Sequence, residues 1–466
     1  MILNDEQQNK EVLKHFQQIL GAENVLYEKE DRYIYAVDST AVSTDTYLPD
    51  YVLFVHSTQE VSEVLKIANK YEIPVTVRGA ATNMAGCCVP TKGGVVLVTT
   101  KMDKILEIDA QNQTCKVQPG VIVVDLQTAV GKEGLTYPPD PSNLKVSTIG
   151  GSLALSSSGP RTFKYGGTKD YVIDLEVVLA EGSIMRTAKP TIKNVTGYNL
   201  TQLFVGSEGT LGVITEATFR LIPSPETNKI MLAYFNTIDD AANAINGIIS
   251  AKLTPSVLDI IDKTTMQTIE NFKPSGFLTE MEAVLFIEVD GYNEVIDRQI
   301  NHITEICKQF GSPVQRIANT KEETENIWTA RRAAFPAISQ LRPNVLSEDM
   351  VVPREKMPEM IKQTMLIAKK NGVPVYIVGH AGDGNFHPHY AFDLRDKEET
   401  QRVENAIKEV FKKSVELGGT ISGEHGIGLV KQKYMKTAVD PLALSYMKQI
   451  KALFDPKNIL NPDKGL

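Results

Sequence analysis

The chain has 466 residues, 42% hydrophobic and 23% charged, which excludes a disordered or fibrous protein and allows two or three domains at roughly 150 residues each. Its formal net charge of −8 argues against nucleic acid, whose phosphates need clustered Lys and Arg. No apolar run approaches the roughly 18 residues of a membrane span, and the opening MILNDEQQNKEVLKHF is too polar for a signal peptide, so the cytoplasm is the expected address.

Residues 1–40 read as a helical lead-in, with Val12, Leu13, Phe16, Ile19 and Leu20 at helical spacing. From Tyr51, YVLFV reads as a buried strand. Ser57 and Glu60 form a capping box ahead of a helical face made by Val61, Val64, Leu65 and Ala68. Pro74 opens a second strand, VTV, which runs into the loop RGAATNMAG, so 51–86 has the order of a βαβ unit. Strands follow at VVLVT, CKVQPGV, VIDLEVVLA and LGVITEATFRLI. Between them, PPDPSNLKVSTIGGSLALSSSGPRTFKYGG has no clear period and reads as a long functional loop.

Ile222-Pro-Ser-Pro225 marks a boundary. Beyond it strands and amphipathic helices alternate in an α+β pattern: IMLAYF, a helix near 239–251, SVLDIID, AVLFIEVD, a helix near 294–310, and PVQRIA. A helix over 321–341 carries Trp328, Arg331 and Arg332. The last helix is PLALSYMKQIKALFDP, before NILNPDKGL.

The four cysteines, Cys87, Cys88, Cys115 and Cys307, show no C-x-x-C spacing, so an iron–sulfur cluster is not expected and buried, idle thiols are. Neither a G-x-G-x-x-G nor a G-x-x-x-x-G-K-[ST] motif occurs. The loop from Arg78 to Gly86 is a different device: it follows a strand, its residues are small, and converging backbone N–H groups suit a pyrophosphate. A plain tight turn is the competing reading of those residues alone.

Of seven histidines, His15, His56 and His302 are scattered and read as structural, whereas His380, His387, His389 and His425 fall close together. VYIVGH is a strand, AGDGN a turn and FHPHY the returning strand, so the turn brings His380 back toward His387, with His387 and His389 on one face. Converging imidazoles beside a carboxylate, here Glu424, suit a divalent metal; an innocent surface tract is the alternative.

The loops RGAATNM and PPDP, with TIGGSLALSSSG (148–159), KYGGTKDYV (164–172) and GYNLTQLFVGSEGTLGVITEATFRL (197–221), resemble the flavin-binding half of the vanillyl-alcohol-oxidase/PCMH superfamily. HAGDGNFH, SGEHGIG and FDPKNILNPDK are similar to the family of D-lactate dehydrogenase and the glycolate oxidase D-subunit, which also includes D-2-hydroxyglutarate dehydrogenase. The resemblance covers residues 40–466. It extends to the catalytic subunit of bacterial lactate dehydrogenases that work with an electron-transfer flavoprotein.

The resemblance implies FAD. Arg78, Gly79, Ala80, Ala81, Thr82, Asn83 and Met84 would wrap the pyrophosphate. Pro139, Asp140, Ser142, Thr148, Gly151, Ser158 and Gly159 would line the isoalloxazine and ribitol, and Gly209 and Ile214 the adenine side. Covalent members carry a His where this chain has Thr82, so attachment should be non-covalent. Many relatives read NAGG where this chain reads Ser156, Ser157, Ser158 and Gly159. The resemblance also maps the metal ligands to His380, His387 and Glu424, for Fe, Zn or Mn, and leaves His389 unassigned.

Oxidising a 2-hydroxy acid requires loss of the hydroxyl proton and transfer of hydride from C2. A metal can stabilise the alkoxide. A neutral imidazole can take the proton, the unperturbed pKa of histidine being near ~6.5, and His425 is the candidate base. Arg331 is the candidate grip on the substrate carboxylate, against the plainer reading of a solvated helix Arg. The expected function is an FAD- and metal-dependent 2-hydroxy-acid dehydrogenase, with lactate to pyruvate as the leading reaction and glycolate or another 2-hydroxy acid as the variant. Rival readings are a non-redox ether-lipid-synthase-like flavoenzyme and a metal-dependent hydrolase without flavin. The chain offers no cluster, haem or nicotinamide motif to reoxidise a flavin, so a soluble electron-transfer flavoprotein is the expected partner. The expected domains are the lead-in at 1–40, an FAD-binding domain at 41–223, a substrate or cap domain at 224–430, and a segment at 431–466 returning to the FAD domain.

Overall fold

The computed structural model describes residues 6–40 and 47–466. Residues 1–5 of the expected lead-in, and the expected start of the FAD-binding domain at residue 41, lie outside them. The chain divides into two units. The first comprises residues up to Ser157, then Gly167–Ser224 and Glu424–Leu466; the second comprises Ser158–Gly166 and Pro225–Gly423.

In the first unit, helix Glu6–Leu20 buries Val12, Phe16 and Leu20, the stripe its spacing requires. Strand Tyr51–Phe54 leads to helix Thr58–Tyr71, whose N-cap is Ser57: its hydroxyl accepts from the Glu60 N–H at 3.2 Å. The Glu60 carboxylate returns to the N–H of His56, one residue before the cap, at 2.7 Å. Strand Val75–Arg78 then pairs parallel with Val95–Val98, itself parallel to Tyr51–Phe54, which completes the βαβ unit. The chain's last residues close this sheet's edge: Leu460 bridges Val75 in parallel, with N–H to O bonds of 2.7 Å on either side.

A second, antiparallel sheet has the order Ile105–Asp109, Thr114–Val117, Val213–Arg220, Val172–Val178, Ile184–Arg186. The stretch read as a long loop contains a helix, Ile149–Leu155, which Thr148 caps by accepting from the Gly151 N–H at 3.3 Å. Its small residues hid it: Gly150 is required because a Cβ there would lie 2.7 Å from Pro119.

The second unit is built on one antiparallel sheet, in the order Val314–Ile317, Thr227–Phe235, Ala283–Gly291, Val257–Asp262, Tyr376–His380, Asn385–Phe392, Asn344–Ser347. Met350–Val351 adds to the Asn385–Phe392 strand. Ile238–Ser250, Asn293–Gln309, Met357–Asn371 and Lys397–Glu416 are amphipathic helices. The helix expected over 321–341 is two, Lys321–Arg332 and Ala334–Ser339. Pro336 explains the break, since it lacks the N–H that would reach back to the Arg332 carbonyl. Among the described residues no helix is long and apolar enough to cross a membrane.

Candidate active site

The loop after strand Val75–Arg78 shows why its residues are small. A Cβ at Gly79 would collide with the Thr148 hydroxyl, so only glycine lets the loop approach the start of helix Ile149–Leu155. Ala81 takes a left-handed φ of 55°, and the Asn83 side chain folds the loop's far end by accepting from the N–H groups of Ala85 and Cys87 at 3.2 and 3.0 Å. Among the described residues, the N–H groups of Gly79, Ala80, Ala81 and Thr82 reach no protein acceptor. Consecutive free donors on an accessible loop fit an anionic pyrophosphate, and the loop therefore fits the FAD that the sequence implies. Arg78 turns its guanidinium away from this run, donating to the Val37 carbonyl at 2.6 Å.

Pro139 is held by Gln127, whose side-chain amide donates to its carbonyl at 3.0 Å. Asp140 is buried and Ser142 exposed. Gly209 has a φ of +70° in the turn before Val213–Arg220, the strand that carries Ile214. Ser158 and Gly159 open the short stretch that belongs to the second unit. There Arg161 pairs with Glu288 at 3.1 Å, Lys164 pairs with Asp290, and the Tyr165 hydroxyl donates to Asp290 at 2.8 Å.

The histidine hairpin is formed by strands Tyr376–His380 and Asn385–Phe392. Val378 faces His387 and His380 faces Asn385, which puts the His380 and His387 rings on one face, 5.2 Å apart between centroids. The turn needs glycine at 384, where φ is +83° and a Cβ would strike the Val352 carbonyl. Both histidines are buried. His380 Nδ1 lies 2.8 Å from an oxygen of Asp259, and Arg331 donates from Nε and Nη2 to the other oxygen at 2.8 and 2.6 Å. Asp259 is fully buried. Burial pushes its carboxyl up, but His380 and Arg331 more than offset this and hold it below the usual range. With Nδ1 engaged by a carboxylate, Nε2 is the nitrogen through which His380 could ligate.

Arg331 is therefore not the solvated helix Arg: it has a buried carboxylate of its own. The sequence could not show this, because its partner is 72 residues away on another element. His387 Nδ1 lies 4.0 Å from Asp349. That buried carboxylate accepts from Asn385 Nδ2 and Ser422 Oγ, each at 2.7 Å, and from the Gly423 N–H at 2.8 Å. Glu424 and His425 follow Gly423 directly; both are half-buried and open the last stretch of the first unit. His389 is buried, its ring 5.9 Å from that of Phe335.

The model of the FAD-linked oxidase C-terminal domain matches residues 224–465, and that of the FAD-binding domain matches residues 49–188. The chain belongs to the FAD-linked oxidases. It is 45% identical over 455 residues to glycolate oxidase subunit GlcD of Bacillus subtilis, covering 98% of this chain and 96% of that one. It is 35% identical over 424 residues to a D-lactate dehydrogenase of Anaerostipes hadrus, covering 89% of each. A solved structure of p-cresol methylhydroxylase with substrate bound superimposes with a TM-score of 0.82 at 18% identity, covering 99% of this chain and 97% of that one. This FAD-linked oxidase thus has the α+β, PCMH-type fold.

Sequence reasoning missed several buried carboxylates of this oxidase, three of which bear on the second unit's polar contacts. Asp259 stands in VLDIID, a strand buried at every position; Glu288 stands in AVLFIEVD; Asp349 follows Glu348. A charge inside an apolar strand is the signal that would have found the first two, since burying one without partners is prohibitive. All four cysteines are buried, and burial pushes the thiols of Cys88, Cys115 and Cys307 up to about 12, which leaves them inert.

Proposed function

We propose that the chain is an FAD- and metal-dependent dehydrogenase of small 2-hydroxy acids of the glycolate and D-lactate type, with lactate to pyruvate as the leading reaction. The observation that carries it is the facing pair His380 and His387, with His380 oriented by Asp259: a buried carboxylate–imidazole arrangement built to present a ring nitrogen. The family resemblance supplies Glu424 as the third ligand in this reading. When bound, FAD supplies a two-electron acceptor, and the divalent ion supplies a Lewis acid for the substrate hydroxyl.

The chain's own residues do the rest. His425 takes the hydroxyl proton, which leaves C2 ready to give up its hydrogen with two electrons. The N–H run at Gly79–Thr82 holds the dinucleotide without a covalent bond, since Thr82 has no nucleophilic nitrogen. Arg331 serves through Asp259, keeping that carboxylate ionised against His380. Electrons leave by way of a soluble electron-transfer flavoprotein, because no other redox motif occurs in the chain.

The test is anaerobic mixing of the purified yellow protein with D-lactate or glycolate. The flavin should bleach, chelation should prevent bleaching, and acid should release FAD into solution. His380→Ala and His387→Ala should lose metal and keep FAD. His425→Ala should keep both and slow flavin reduction by ~10²–10⁴-fold. The protein alone should reduce artificial dyes but not NAD, and an added electron-transfer flavoprotein should restore turnover. Bleaching that survives chelation would refute the metal, and flavin left on acid-precipitated protein would refute non-covalent binding.

A further inference from the structure

Glu208 is a buried carboxylate that the proposed chemistry does not use. Its backbone sits in the left-handed region, φ 54°, between Gly206 and Gly209, both with positive φ. It is fixed there from two sides. Its N–H donates to the Ala154 carbonyl at 2.8 Å, and its carbonyl accepts from the Asn461 amide at 2.5 Å. The same Asn461 amide reaches the Cys87 carbonyl at 3.1 Å, just beyond the pyrophosphate loop.

The side chain meets the stretch after His425. Oε1 accepts from the Ile427 N–H at 2.6 Å and Oε2 from the Gly428 N–H at 2.8 Å. A Cβ on Gly426 would lie 2.8 Å from Oε1, so glycine at 426 is what lets the chain pass so close. On its other side the stretch is held by the Leu429 N–H donating to the Ala85 carbonyl at 2.8 Å, and a Cβ at Gly428 would collide with that carbonyl. Two charge-assisted bonds to consecutive N–H groups, on a stretch with two positive-φ glycines, define its path two residues after His425.

We propose that Glu208 is the positioning residue for Glu424 and His425, holding their backbone against the pyrophosphate-loop side of the first unit. This rests on the proposed function, which gives those two residues their roles. Glu208 touches neither substrate nor flavin in this scheme; it acts through the 426–428 backbone. A carboxylate is needed because both of its oxygens accept. An amide at this position offers one acceptor, and its NH2 faces the second N–H.

The experiment compares the FAD-loaded wild type with Glu208→Gln and Glu208→Asp. FAD per chain is measured by absorbance, Zn²⁺ affinity by competition with a chromogenic chelator, and flavin reduction by anaerobic stopped flow over a range of D-lactate concentrations. Glu208→Gln should keep its FAD, bind Zn²⁺ ~10–100-fold more weakly, as loss of outer-shell support typically does, and lower the limiting reduction rate far more than it changes the half-saturating lactate concentration. Glu208→Asp keeps the charge on a shorter arm and should fall between. It carries the test alone if the Gln variant does not fold. Wild-type Zn²⁺ affinity and limiting rate in either variant would overturn the proposal, as would loss of FAD with the rate per bound flavin unchanged. A wild type that binds no Zn²⁺ yet bleaches with lactate would instead refute the metal reading, while the limiting rates still judge Glu208.

Discussion

Asp259→Asn tests the buried carboxylate that His380 and Arg331 share. Asp259 accepts from His380 on one oxygen and from Arg331 on the other, and all three side chains are buried. The amide keeps the shape but presents an NH2 to one of those donors and removes the charge opposite Arg331. Breaking a buried pair by removing one partner costs roughly 3–5 kcal/mol. The second unit has about 200 residues, for which each kcal/mol shifts Tm by roughly 2–4 °C, so the variant should melt ~6–20 °C below wild type. Melting is followed on FAD-loaded protein with chelator present, so that lost metal does not contribute. Adding Arg331→Met to Asp259→Asn should recover part of the loss, because the stranded guanidinium is removed. The sign with pH follows. His380 and Arg331 hold the folded carboxyl below its unfolded value, so its stabilisation is fully present above an unfolded pKa of ~3.9 and is lost as pH falls through the folded one. The wild-type advantage should therefore shrink in acid. An Asp259→Asn protein that melts with the wild type at neutral pH would refute the reasoning.

Gly79→Ala places a methyl group against Thr148 and should lower FAD retention, measured by flavin absorbance per chain; Thr148→Ala in the same protein should restore it. Glu288 is buried and receives Trp328 Nε1, Arg161, Asn228 and Ser256, each at 3.1 Å. Glu288→Ala should destabilise by roughly 3–5 kcal/mol and change the emission of the chain's single tryptophan. Burial pushes the Lys464 amine down to about 8, so between that pH and the ordinary lysine value of ~10.4 the unfolded chain holds more protons and stability rises with pH. Lys464→Met removes that rise. Its Tm advantage over wild type at pH 7 should vanish at high pH in a series of melts.

What the sequence made legible is what depends on neighbours in the chain. Helical spacing located Val61, Val64, Leu65 and Ala68, all buried on one face, and period two with a glycine turn located the His380–His387 hairpin. What stayed hidden depends on distant partners. Arg331 looked available because Asp259 is remote, and Glu208 lay unremarked inside a glycine motif because its acceptors serve N–H groups more than two hundred residues on. Helix Ile149–Leu155 was missed for a different reason: its small residues carry no amphipathic period, and its start is set by Thr148 and by the contact of Gly150 with Pro119.

The bridge between Leu460 and Val75 has a consequence for biosynthesis. Ile459 and Leu460 are part of the same apolar core as Val75, Leu97 and the helix of Val12 and Phe16. That core therefore stays incomplete while everything from Pro225 to Gly423 is translated, a delay of roughly 10–40 s at 5–20 residues per second. The second unit, by contrast, has all its residues out of the ribosome before the first does. The half of the protein that is made first is the half that folds last, and its parallel strands wait meanwhile with an unfinished edge, the state in which a chaperone would find the nascent chain.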